Sequence, residues 1–159
     1  MHSRAKVAAV ALGATLSLSS CSLTSSVTTS NQYNPSDGTG VVVGDVRAQN
    51  LLLVTTAEGE PAALIGYLYN DDDAATATVT IAIGDTEETY TIAPMEGVQL
   101  GLGAGSQKFV TAAPAAPGLV GSYTVAVDAV GASTGTLPIV DGTLAEYQQV
   151  LEDLVAASS

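Results

Sequence analysis

From Val41 to Val140 the chain sets short apolar, β-branched runs between breaks that carry Gly, Pro or Asp. In "TATVTIAI" (76–83), Val79, Ile81 and Ile83 alternate with Thr and Ala, the period of two of a half-buried strand. "VQLGL" (98–102) repeats the pattern with Val98, Leu100 and Leu102, and "SYTVAVDAV" (122–130) with Tyr123, Val125 and Val127. "VVVGDV" (41–46), "AQNLLLVTTA" (48–57), "PAALIGYLYN" (61–70), "ETYTI" (88–92), "KFV" (108–110) and "TLPIV" (136–140) complete the set. Gly84-Asp85 turns the chain from 76–83 into 88–92, a hairpin whose loop reads as longer than the tight two-residue type. About eight or nine strands spaced by about ten residues predict an all-β antiparallel sandwich or barrel. No helical period lies between them, which excludes a doubly wound α/β fold.

The period changes after Asp141. Leu144, Tyr147, Leu151 and Leu154 recur at three- and four-residue steps, with Val150 and Val155 widening the stripe. Thr143 followed by Glu146 fits a capping box at a helix start. A helix of about 12 residues is marginal alone in water, so its apolar face is expected to pack on its own domain, with a partner surface as the alternative.

The N-terminus follows a third pattern. Arg4 and Lys6 precede an apolar run from Val7 to Leu18 broken only by small residues. A basic start, a short apolar centre and small residues at the end describe a secretory signal, too short to span a bilayer, which takes about 18 or more apolar residues. "Leu18-Ser19-Ser20-Cys21" resembles the lipobox of bacterial lipoproteins, in which the cysteine receives a diacylglycerol and becomes the new N-terminus. Cys21 is the only cysteine of the chain, so it has no disulfide partner within it, and a lipid anchor accounts for it. Each buried methylene adds about 0.8 kcal/mol of membrane affinity, and two acyl chains hold where one does not. The expected organisation is therefore a signal at 1–20, a tether at 21–40, a β-sandwich at 41–140 and the amphipathic helix and tail at 141–159. The tether is rich in Ser, Thr, Asn and Gly; as a flexible coil of roughly 18 residues it reaches on the order of 20–25 Å.

Charge narrows the partners. The chain has 16 acidic residues against four basic ones and a formal net charge of −12; after cleavage only Arg47 and Lys108 remain basic. Such a surface repels phosphate backbones and anionic headgroups, so nucleic-acid binding is not expected. The partners expected are the membrane, through the N-terminal lipid, and an unidentified envelope protein.

Candidate chemistry is sparse. Asp71-Asp72-Asp73 is the densest acidic cluster. Calcium takes six to eight converging oxygens, whereas three consecutive side chains on an extended backbone diverge, so a solvated turn with weak cation adsorption is expected. Asp85, Glu87 and Glu88 read the same way. Paired carboxylates can hydrolyse glycosides, but such sites usually bring aromatic platforms and the chain has no Trp. The single histidine, His2, leaves with the signal, and Cys21 is consumed by lipid, so neither a nucleophilic triad nor a zinc set can be assembled. Tyr67 and Tyr69 share one strand face with Asn70 beside them, and Tyr33 and Asn34 flank the tether; strand tyrosines ordinarily just cover a sheet, and no site is assigned to them. No catalytic residue, metal ligand or cofactor is assigned, and the chain is read as a non-enzyme.

A lipobox, a Ser/Thr tether, the opening "VGDVRAQNLLLV" and then "ALIGYLYNDDDAATATVTI" together resemble actinobacterial lipoproteins of the LpqE type, a group similar to the PCu(A)C-like copper chaperones. The resemblance implies a Greek-key sandwich, immunoglobulin-like or cupredoxin-like, at the extracytoplasmic face of the cell membrane. The chaperones' copper motif, a His and Mets converging from separate strands, does not carry over. The mature chain offers Met95 alone, between Pro94 and Glu96, where a gap-filling role at a strand edge is expected. The reading is a lipid-anchored, extracytoplasmic binding or scaffolding protein; the alternative is a divergent copper-handling lipoprotein.

Overall fold

Gly44-Asp45 and Gly84-Asp85 each reverse the chain in two residues. The computed structural model describes residues 37–157; the expected signal, Cys21 and most of the tether lie outside them. β1 (Thr39–Val43) and β2 (Val46–Thr55) form a hairpin with Val43 opposite Val46, and β4 (Ala77–Ile83) and β5 (Thr86–Ile92) form one with Ile83 opposite Thr86. Both turn glycines have φ +58°, a conformation glycine enters without steric cost. The first hairpin replaces the single strand expected over 41–46. The second corrects the longer loop expected after Ile83.

The other strands are β3 (Pro61–Asn70), β6 (Gly97–Leu100), β7 (Val110–Ala112), β8 (Val120–Val127) and β9 (Gly131–Val140), followed by helix α1 (Ala145–Ala157). They make one nine-stranded sheet in the order β5-β4-β8-β9-β2-β3-β6, with β1 on β2 and β7 on β3. The sheet folds over one core that draws Leu51, Leu53, Leu64 and Leu68 from one layer and Ile81, Ile92, Val125 and Leu137 from the other. Its two edges approach each other. The Thr86 and Thr111 hydroxyls lie 2.8 Å apart, and the Tyr90 hydroxyl donates to the Lys108 carbonyl at 3.2 Å. Burial, with Glu88 nearby, pushes that phenol up to about 12. The expected all-β sandwich with a short C-terminal helix is the observed architecture.

One join departs from the antiparallel expectation. The ladder of β9 with β8 ends at Pro138, which has no N–H to offer, and Ile139 and Val140 pair parallel with Leu53 and Val54 of β2. This join ties the two layers into one sheet.

A bulge then decides which residues of β2 face the core. Gln49 pairs with Tyr67 and Leu52 with Ile65, so Asn50 and Leu51 together oppose Gly66. Asn50 takes φ +53°, a left-handed conformation that Asn tolerates better than most residues. Gly66 has φ +153°, and a Cβ there would stand 2.5 Å from Leu51 Cδ2. The extra residue switches the alternation. Val46 and Ala48 point into the main core before it, Leu51 and Leu53 after it, and Leu52 and Val54 turn to the other face.

That other face is where α1 packs. Leu52, Val54 and Tyr147 form a second apolar cluster, joined by the partly buried Ile65, Val140, Val150 and Leu151. The helix thus covers its own domain, and the run Leu51–Val54 is buried on both faces of the sheet. Tyr147 donates its hydroxyl to Asp37 Oδ2 at 2.9 Å, clasping the helix to the chain just before β1; burial first, and then Asp37, push this phenol up to about 12. The stripe is narrower than expected, because Leu144 and Val155 are exposed while Tyr147 and Leu154 are buried. The cap also differs from the Thr143–Glu146 box. The Leu144 carbonyl accepts from the amides of Tyr147 and Gln148 at 3.0 and 2.9 Å, so the helix starts one residue later. Thr143 instead gives its amide to Asp141 Oδ1 at 2.9 Å.

Candidate functional site

At the end of the sandwich where β3 terminates, three segments are stitched together through the backbone. The Asp71 amide donates to the Asp45 carbonyl in the β1–β2 turn at 2.8 Å, and the Asn70 amide to the Glu96 carbonyl at 3.0 Å. The Met95 amide reaches the Asp72 carbonyl at 3.0 Å. Asn70 is the hub. Its side chain is buried, and its amide nitrogen donates to the carbonyls of Ala75, Ile92 and Ala93 at 2.8, 3.3 and 3.3 Å, while its oxygen accepts from the Asp72 amide at 3.2 Å. One side chain thereby binds the β3–β4 loop to the end of β5.

The three aspartates of the loop part company, as their spacing predicts. Asp71 pairs with Arg47. Asp72 turns back on its own loop, and its Oδ1 accepts from the amides of Ala74 and Ala75, each at 2.8 Å. Those two bonds hold its carboxyl below the ordinary 3.8. Because the folded-state value is the lower one, the carboxylate supports the loop at neutral pH, and that support is lost as the pH falls through 3.8 towards the folded-state value. Asp73 is exposed. Among the described residues no three His, Cys, Asp or Glu side chains gather so as to hold a metal ion.

Met95 lies in the β5–β6 loop and does not fill a gap. It is 53% exposed with φ +55°, and its backbone makes the contacts, the carbonyl accepting from the Tyr69 hydroxyl at 3.2 Å. A left-handed backbone in a tight loop turns this thioether to solvent. The Asp71–Asp73 loop and Met95, noticed separately in the sequence, therefore share one end of the fold. So do Tyr67 and Tyr69, whose rings stack at 6.4 Å between centroids, with the Arg47 guanidinium 5.5 Å from the Tyr69 ring.

Two residues of this end escaped the sequence reading, Asn70 as a hub and Arg47 as a brace. The signal for Asn70 was its place between a strand and a polar loop, where Asn side chains bond local backbone. For Arg47 it was rarity, since only Arg47 and Lys108 are basic after the N-terminal segment. As a chemical unit, this end offers one carboxylate engaged with its own loop, one paired with a guanidinium, one exposed, two phenols and one exposed thioether. Cys21, the lipidation candidate, lies outside the described residues. No helix among the described residues is long and apolar enough to cross a membrane.

No family model and no curated protein sequence matches the chain. Solved structures do. The apo PCuAC domain from PmoF1 matches at TM-score 0.51 and 16% identity, covering 64% of this chain and 98% of that one. The apo PmoF2 PCuAC domain gives 0.48 at 17% identity, over 66% and 97% of the two chains. The copper-bound PCuAC domain from PmoF2 gives 0.48 at 17%, over 64% and 97%. At such identity the likeness is one of fold, and the domain of this chain is PCuAC-like in fold.

Proposed function

We propose that this chain is a lipid-anchored, non-catalytic protein of the extracytoplasmic face of the cell membrane, and that its PCuAC-like domain serves copper handling in a weak, exchangeable form. The observation that carries the copper reading is the fold shared with the PCuAC domain from PmoF1, which favours it over the more general scaffolding reading. Fold alone does not supply function, and the residues set the terms. Selective Cu(I) binding draws on converging soft donors, and after Met1 and His2 this chain has one methionine, Met95, and no histidine. That donor set does not fit a tight copper site, so any copper is cargo held loosely at the Met95 end. The finer likeness to LpqE-type lipoproteins rests on the lipobox, the Ser/Thr tether and residues 43–54 and 63–81 together, and belongs to the same proposal.

A competition titration tests the copper reading. Residues 22–159, offered Cu(I) against a strong chelator, should retain less than one equivalent, and the weak binding of Cu(II) or calcium to carboxylates should fade as salt rises. Stoichiometric retention that Met95→Leu abolishes would replace this reading with a tight-binding chaperone. Complete indifference to copper would leave scaffolding as the function. The anchor is tested separately. Wild type should partition into the detergent phase and Cys21→Ala into the aqueous phase, and a wild-type protein already found in water would remove the lipoprotein from the proposal.

A further inference from the structure

We propose that the outer face of β2-β3-β6, beside the Asn70 end, is a binding platform for a neutral glycan. Cross-strand register sets six residues in two rows, Arg47–Tyr69–Gly97 and Gln49–Tyr67–Gln99. Tyr67 is 36% exposed and Tyr69 is partly exposed, whereas the other described tyrosines, Tyr90, Tyr123 and Tyr147, are buried. The two surface rings lie within 20° of parallel. Tyr67 leans across the backbone of β6, since a Cβ on Gly97 would stand 2.0 Å from its Oη and 2.3 Å from its Cζ. Glycine at that position is what gives the ring room to lie down. The platform is also held in place beforehand. The Tyr69 hydroxyl is tied to the Met95 carbonyl, the Gln99 amide nitrogen to the Gly66 carbonyl at 2.7 Å, and Arg47 to Asp71. Groups already ordered lose less entropy when a ligand arrives.

The occupant follows from this chemistry. Ring faces offer an apolar surface to the C–H face of a sugar, and the flanking amides and guanidinium are planar groups that can bond its hydroxyls. Charge selects among ligands that stack. Asp45, Asp71, Asp72, Asp73 and Glu96 line the adjoining end, and the chain carries −12 overall, so an anionic polymer is repelled. The one cation of the platform, Arg47, is already paired. An uncharged, hydroxyl-rich chain suits both the rings and the field. The site uses no thioether, so it stands or falls apart from the copper reading.

The test takes the full chain in a detergent without a sugar headgroup. The probes are cellohexaose, maltohexaose and mannohexaose, with co-sedimentation on purified cell-wall polysaccharide to separate a free oligosaccharide from an assembled polymer. Tyrosine fluorescence reports binding, with no Trp to mask it. Saturable binding to a neutral glycan in either form is expected, unchanged as salt is raised. Tyr67→Ala and Tyr69→Ala should each weaken it about tenfold, the size of one lost ring stack. Gly97→Ala, which lifts the Tyr67 ring, should also weaken it severalfold, while Tyr67→Phe keeps it; melting curves establish that each variant is folded. The proposal is overturned if no glycan binds saturably, if binding survives loss of both rings, or if only a cationic probe such as hexa-arginine binds and salt abolishes it.

Discussion

Removing residues 143–159 lowers the stability of the domain by about 3–6 kcal/mol and its thermal midpoint by more than about 10 °C. The argument lies under the helix. Leu52 and Val54 are 1% and 0% exposed on the outer face of β2, and α1 is what shields them there. Re-exposing each costs about 1.5–3 kcal/mol. The burial of Tyr147 and Leu154 is lost as well, but the freed segment regains its chain entropy, and these two effects oppose each other. Measured against a typical stability of about 5–15 kcal/mol, the loss is large. The bared face of Leu52, Val54, Ile65 and Val140 should also make the truncated chain associate. Thermal melts of the full and shortened chains, with sedimentation as a second readout, check both effects. An unchanged midpoint would mean that the helix contributes nothing to the fold and is held for a partner.

The same helix shows where the sequence was legible. Tyr147 and Leu154 carried a helical period and are buried; the strands over 61–70 and 76–83 carried a clean apolar pattern and form β3 and β4 almost as read. Periodicity works where one face meets the core and the other meets water. It failed where a single residue outweighs the pattern. In 41–46 the apolar neighbours Val43 and Val46 hid a two-residue turn, because hydropathy does not report the positive φ of Gly44. The bulge at Asn50-Leu51 was likewise invisible, although it decides which half of "LLLV" faces which core. The parallel join at Ile139–Val140 depends on tertiary placement that no local pattern encodes.

The candidate site was half legible for a related reason. Side-chain types can be read, and the spacing of Asp71, Asp72 and Asp73 predicts side chains that diverge. What the types do not disclose is company. Methionine usually fills gaps, yet the loop of Met95 takes a left-handed backbone that turns the thioether outward. The spacing of Tyr67 and Tyr69 puts them on one face, but the platform they form depends on Gly97, which is 30 residues beyond Tyr67 and adjacent only through the β3–β6 pairing. Contacts of that span belong to the sheet, and the local sequence is silent about them.

Asn70→Ala should cost about 2–4 kcal/mol and loosen the whole Met95 end. Asn70 is 1% exposed. Its amide nitrogen serves the carbonyls of Ala75, Ile92 and Ala93, and its oxygen holds the Asp72 amide. Alanine removes these partners, and a buried polar group left alone costs about 1–3 kcal/mol. The Ile92 bond is the fully buried one, whereas water can reach the loop carbonyls and limit the loss there. Asn70→Asp separates hydrogen bonding from shape. An aspartate fits the same space, but at neutral pH it turns a second negative oxygen towards those carbonyls, so it should destabilise at least as much as alanine. Protonation restores one O–H donor. Stability of Asn70→Asp relative to wild type should therefore recover as the pH falls, which Asn70→Ala should not show. Urea denaturation from neutral to mildly acidic pH reads this difference, and amide exchange at Asp72 should quicken in Asn70→Ala, whereas Asn70→Asp keeps an oxygen to accept that amide. A loss below about 0.5 kcal/mol, within the range of an ordinary surface substitution, would refute the hub, as would identical pH profiles for the two variants.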